Sequence, residues 1–166
     1  MPVMREQLRS EKEVTIDVPL EAVWDYLMDI SKIPEFHPRV SRVDLISGAA
    51  QKAKGVEYRC IITEGRGKGT CVEKVIDVVP DTSFVTTIAS DSWGLSQLFD
   101  SYVVDTHIAR VDESRTRVTI KQYFATRTLK SKLIALIAKP KLNRQTADTL
   151  RGIKQGVERD WASVPR

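Results

Sequence analysis

Few residues in this chain can move protons, and they are scattered. His37 stands two residues from Glu35, a spacing at which an imidazole and a carboxylate could share general acid–base work. It precedes Pro38 in a loop, and no nucleophile or third group accompanies it. Tyr58 and Tyr102 are further proton-transfer candidates, conditional on a cavity around them. His107 falls in the opposite phase to Thr106 and Ile108 and is expected to face solvent. Two cysteines and two histidines, with no CxxC or HxxxH spacing, argue against a metal centre. No cofactor is expected either. Glu64-Gly-Arg-Gly-Lys-Gly-Thr70 invites a phosphate-loop reading, but the P-loop spacing and its following helix are missing. Strands flank it, so a hairpin turn explains it better. Cys60 and Cys71 lie about equally far from that turn and are expected as buried cross-strand thiols.

Binding chemistry is better represented than catalysis. Apolar residues alternate with polar ones in several segments, which marks strands with one buried face. If those faces look inward, Val56, Tyr58, Tyr102, Val104, Thr106, Ile108, Val118, Ile120, Gln122 and Phe124 share one surface. Thr106 and Gln122 stand out, because polar groups on an apolar face need partners. A ligand pocket has this character, apolar walls with a few placed polar groups. The competing reading is a filled core in which those two groups bond each other or water.

The elements that must position these residues can be read in order. Residues 1–11 show no period and are expected as an arm, residues 12–160 as a single domain, and 161–166 as a tail. Val14, Ile16 and Val18 alternate with Glu13, Thr15 and Asp17 in a first strand, which Pro19 ends. A helix follows over Leu20 to Met28, then a second short one capped by Asp29 or Ser31 and kept short by Pro34 and Pro38. Six more strands come next, joined by short turns that imply an antiparallel sheet. From Ser131 to Glu158, Leu142, Thr146, Leu150, Ile153 and Val157 recur every three or four residues, the stripe of an amphipathic helix. Such a helix must bury its stripe on the sheet, which puts Leu150, Ile153 and Val157 opposite the strand residues above. The fold class is α+β.

Leu133-Ile-Ala-Leu-Ile-Ala138 is more apolar than one helix face needs, and Pro140 is expected to kink the helix after it. Hinged there, residues 133–138 could form a lid beside Trp93 and Leu95. Flanked by Lys130, Lys132, Lys139 and Lys141, they could also rest on an anionic membrane. The plainer alternative is a first turn packed on the sheet edge. From Arg127 onward ten bases face three acids, so this segment carries +7 and the remainder −3 of the total +4. The bases are not interleaved with aromatics, so nucleic acid is not an expected partner. No run reaches the roughly 18 apolar residues of a membrane span. With no signal-type start, the cytoplasm is the expected location.

Several strings resemble the SRPBCC superfamily, the START-like or Bet v 1-like helix-grip proteins, and within it the polyketide cyclase/dehydrase and lipid-transport subgroup. Val14-Thr-Ile-Asp-Val-Pro-Leu-Glu-Ala-Val-Trp-Asp-Tyr-Leu-Met-Asp29 resembles the opening strand and helix of that family. Phe36-His-Pro-Arg-Val40 is similar to the second-helix exit, with Phe where many members have Trp. Pro80, Ser114-Arg-Thr-Arg-Val-Thr119 and Leu150-Arg-Gly-Ile-Lys-Gln-Gly-Val-Glu158 also fit. The resemblance spans about residues 12–160 and implies a curved seven-stranded antiparallel sheet wrapped around a long C-terminal helix. It also implies a cavity for a hydrophobic or amphipathic molecule, such as a lipid, quinone or polyketide-like compound. The motifs are structural. A carrier or sensor comes first, a cyclase or dehydratase in the same cavity second, and a membrane-surface module third. Oligomeric state is left open.

Overall fold

A computed structural model of the chain describes residues 8–126 and 128–165. Strand β1 (Leu8–Ile16) leads into helix α1 (Leu20–Met28), a 3-10 turn (Ile30–Lys32) and short helix α2 (Ile33–Phe36). Strands β2 (Val40–Asp44), β3 (Glu57–Glu64), β4 (Gly67–Val79) and β5 (Ser83–Asp91) follow. A one-turn helix α3 (Leu95–Leu98), strands β6 (Phe99–Asp112) and β7 (Arg115–Thr126), and helix α4 (Leu129–Ser163) complete the chain. The seven strands form one antiparallel sheet in the order β1-β7-β6-β5-β4-β3-β2. Register shifts within the β4–β5 and β6–β7 ladders mark bulges, which bend strands and help the sheet curl around α4. This is the expected α+β helix-grip architecture.

Three boundaries differ from expectation, each for a physical reason. The first strand starts at Leu8, inside the segment expected as an arm; residues 1–7 of that arm lie outside the described residues. Ser10 occupies the inward position there and donates to Asn143 Oδ1 at 2.8 Å on α4. Its contact is polar, so no apolar period announces the strand. Residues 90–97 show no strand or helix period in the sequence, yet they extend β5 to Asp91 and supply most of α3. Helix α4 spans Leu129–Ser163, past Glu158 and into the segment expected as a tail, and it contains Pro140. The proline removes the hydrogen bond to the carbonyl of Leu136, on a face that already meets water. The helix starts on a reciprocal cap, Thr128 and Ser131 each satisfying the other's backbone N–H.

Two apolar clusters hold the layers together. The larger joins Val23 and Leu27 of α1, Ile108 and Val118 of the sheet, and Leu150, Ile153 and Val157 of α4. The smaller joins Phe99 and Phe124 to Ala135, with Tyr102 and Leu142 against them. The helix is thus pinned to the sheet near both ends. Between the pins its inward residues are Gln145, Thr146 and Thr149.

Candidate ligand-binding cavity

A cavity of about 470 Å³ opens between the pins, within the usual range for small-molecule sites. The sheet supplies Thr86 and Ile88 from β5, Val104 and Thr106 from β6, and Ile120 and Gln122 from β7. Phe36 and His37 close one side; Trp93, Ile134, Ala135 and Ala138 border another. Of the residues expected to line a pocket, Tyr58, Tyr102, Val104, Thr106, Ile120, Gln122, Phe124 and Ile153 do so. Ile108, Val118, Leu150 and Val157 do not, being packed in the larger cluster, with Val56 against its edge. Ile108 and Val118 are register partners toward the β6–β7 turn, on the stretch of sheet that α1 covers. Inward phase is right for both, but α1 fills the space that a ligand would need.

Gln122 and Thr106 do not bond each other. The Tyr102 hydroxyl donates to Gln122 Oε1 at 2.6 Å, and Gln122 Nε2 donates to Thr146 Oγ1 at 2.9 Å. Thr146 then donates to the Leu142 carbonyl at 2.9 Å within its own helix. This chain of bonds ties α4 to the sheet across the cavity. It was legible in part, since Thr146 is a hydroxyl inside an apolar helical stripe.

A second polar group sits on β3 and β4. The Tyr58 hydroxyl donates to Glu73 Oε2 at 2.7 Å. Glu73 lines the cavity between Cys71 and Val75 in the same strand phase, a carboxylate on an inward face that the alternation could have revealed. Burial first, then the Glu73 charge, pushes the Tyr58 phenol far above its ordinary value. Tyr102 is raised for the same two reasons in the same order. His37 reaches the cavity, but Glu35 turns to Tyr26, Lys32 and Arg159 instead. Burial, reinforced by the neighbouring Arg39 charge, lowers His37 to about 4. His107 pairs with Asp105 at 3.0 Å away from the cavity.

Sequence reading missed Lys52 altogether. It belongs to a loop with no period, held under the end of α1 by Lys52 N–H to the Met28 carbonyl at 2.9 Å. Its Nζ donates to the Leu27 carbonyl at 2.6 Å and lies 4.5 Å from the centre of the Phe84 ring. Burial lowers its ammonium to about 8, partly offset by the Glu73 carboxylate.

Cys60 and Cys71 stand directly opposite in the β3–β4 ladder, both buried and free. Burial is the main cause that raises both thiols, Cys71 to about 12. The glycine-rich stretch is a two-residue hairpin with Gly65 at φ +58°. At Gly69 a Cβ would overlap the Trp93 ring, so that glycine seats the indole at the cavity's border. The 133–138 segment presents two faces: Ile134, Ala135 and Ala138 line the cavity, while Leu133, Leu136 and Ile137 meet solvent. The first face also packs on the sheet, Ala135 against Phe99 and Phe124, while the second leaves three large apolar side chains in water. Leu95, the other expected lid residue, has no described side chain. No group of metal-ligating side chains occurs among the described residues.

A family model described as polyketide cyclase/dehydrase and lipid transport matches residues 7–158. The aromatase/cyclase Zhui from Streptomyces sp. R1128 is similar in structure, with a TM-score of 0.69 at 16% identity, covering 90% of this chain and 92% of that one. A norcoclaurine synthase point mutant from Thalictrum flavum, in complex with a transition-state analogue, gives a TM-score of 0.71 at 13% identity, covering 90% and 93%. A START superfamily protein from Mycobacterium smegmatis gives 0.66 at 12% identity, covering 90% and 96%. No curated protein matches. Identities this low speak for the fold alone.

Proposed function

We propose, for a chain that belongs to the polyketide cyclase/dehydrase and lipid transport family, that the protein binds a hydrophobic or amphipathic small molecule in this cavity and carries or senses it. The cavity carries the reading: apolar walls of about the right volume, crossed by the Tyr102–Gln122–Thr146 chain. Ligand affinity would come from apolar burial at roughly 25 cal/mol per Å². The proton-transfer candidates read from the sequence are poorly poised for turnover. A general acid or base works best near the operating pH; His37 lies well below it and Tyr58 and Tyr102 well above. One observation favours the second reading, a cyclase or dehydratase: the Tyr58–Glu73 pair puts a phenol and a carboxylate side by side in the cavity wall.

Native mass spectrometry of the purified protein, with solvent extraction, tests the choice. A lipid, quinone or ring compound retained unchanged is the expected result. Turnover of that compound, abolished by Tyr102→Phe, Tyr58→Phe or His37→Ala, would replace the carrier with the enzyme.

The outer face of α4 suits a membrane surface. Leu129, Leu136 and Ile137 are 84, 70 and 72% exposed among Lys130, Lys132 and Lys139. An interfacial helix combines such apolar anchors with basic flanks. Docking, not spanning, is the mode, as no described helix is long and apolar enough to cross a bilayer. A cytoplasmic setting, facing an anionic leaflet, accompanies this reading. The protein is expected to float with phosphatidylserine-containing liposomes, less so in high salt. Leu136→Asp with Ile137→Asp should abolish flotation; equal flotation of the double variant would remove the membrane role.

A further inference from the structure

Lys52 is only 7% exposed and lines the cavity. A buried ammonium normally requires a carboxylate and a full set of hydrogen bonds. Here one of its three N–H donors meets the Leu27 carbonyl, in the last turn of α1. The negative end of a helix is a favourable but partial counter-charge. The Phe84 ring faces the ammonium from another side and supplies only its quadrupole. No ion pair involves Lys52 among the described residues: Glu73 and Asp29 act on it through space, and Glu73 is bonded to Tyr58. The site thus holds a cation, an aromatic face and an apolar wall, and no anion is bonded to the ammonium.

We propose that Lys52 receives the anionic head of an amphipathic acid, a carboxylate or comparable oxyanion, whose apolar body lies along the sheet toward Val104 and Gln122. This inference rests on the binding reading above and narrows it to a ligand class. The ligand completes the ion pair that the protein leaves open. An anion beside Lys52 stabilises the ammonium, so its proton affinity is higher in the complex than in the empty protein. Affinity is then full below about pH 8 and falls as pH rises through that value, where the empty site loses its proton. The other titratable groups facing Lys52 are Glu73 on β4, Cys60 on β3 and Asp29 beyond α1. Burial holds the Cys60 thiol protonated well beyond this range.

The test uses the neutral fluorophore N-phenyl-1-naphthylamine as the cavity reporter, displaced by dodecanoate or by 1-dodecanol. Dodecanoate is expected to displace it at roughly ten- to hundredfold lower concentration than the alcohol, the worth of one charge-assisted hydrogen bond. Lys52→Met should erase that preference, so that acid and alcohol displace the bound reporter at closely similar concentrations. In the unsubstituted protein the preference should decline between about pH 7 and about pH 9.5. If the reporter does not bind at all, the cavity reading fails. If it binds but acid and alcohol compete equally, or the preference survives Lys52→Met, only the anion site is overturned and Lys52 is a cap for α1. Should Lys52→Met not fold, the pH profile decides: a preference unchanged across it sinks the proposal.

Discussion

Gly152→Ala is expected to destabilise the protein by about 3 kcal/mol, at the upper end of ordinary overpacking. For a chain of this length that lowers the melting temperature by roughly 6–12 °C. A Cβ on Gly152 would overlap the carbonyl oxygen of Phe36 and lie 2.9 Å from its carbonyl carbon. Both partners are backbone, one in α4 and one at the end of α2, so neither can swing aside. Gly156→Ala makes a useful comparison. Its Cβ would meet the Tyr26 hydroxyl, the tip of a side chain that makes a long, 3.4 Å contact to Glu35. Overlap with a side-chain tip is relieved more easily, so Gly156→Ala should cost less. Arg151→Ala, exposed on the same turn, should stay within about 0.5 kcal/mol. Thermal melts that rank Gly152→Ala at or below Arg151→Ala would show that α4 does not press on α2. The consequence reaches the cavity, because Phe36 and His37 form its wall at that contact. Reporter binding by Gly152→Ala should weaken even at temperatures where the variant stays folded.

The strand faces were legible because water and core impose a period of two, and Tyr102, Val104, Thr106, Ile120, Gln122 and Phe124 follow it. What the period does not carry is position along a strand. Ile108 and Val118 share the phase of Thr106 and Ile120 yet fall where α1 covers the sheet. The distinction depends on how far α1 reaches, a matter of tertiary packing that no local pattern encodes. Ser10 shows the opposite failure, an inward residue hidden because its partner on α4 is polar. Lys52 is the most consequential case. Gln51-Lys52-Ala53-Lys54 offers two lysines with no periodic context. Only the bonds of residues 50 and 52 to Ile30 and Met28 choose which one enters the protein. Function lay beyond the strings that resemble the family: they form strand ends, helix contacts and turns, and reach the cavity wall only through Leu27, Phe36, His37, Arg39, Val40 and Ile153.

The difference between facing inward and lining the cavity yields a paired result. Val104 lies opposite Thr86 on one neighbouring strand and Gln122 on the other, and all three line the cavity. Val104→Trp projects its indole into that space, so it should weaken N-phenyl-1-naphthylamine binding by roughly tenfold or more. Its stability should change little, because the added volume enters a void rather than a packed core. Ile108, two turns of the same pleat further on, is buried and belongs to the larger cluster. Ile108→Ala removes packed methyl groups and should cost about 2–5 kcal/mol in urea unfolding. Reporter affinity should be unchanged under conditions where that variant is folded. Each side chain therefore affects one measurement and spares the other. If Ile108→Ala weakens binding while Val104→Trp does not, the ligand lies beneath α1 and the cavity has been placed at the wrong end of the sheet. If Val104→Trp unfolds the protein, the space between the two pins of α4 is filled in solution, and the helix grips the sheet along its whole length.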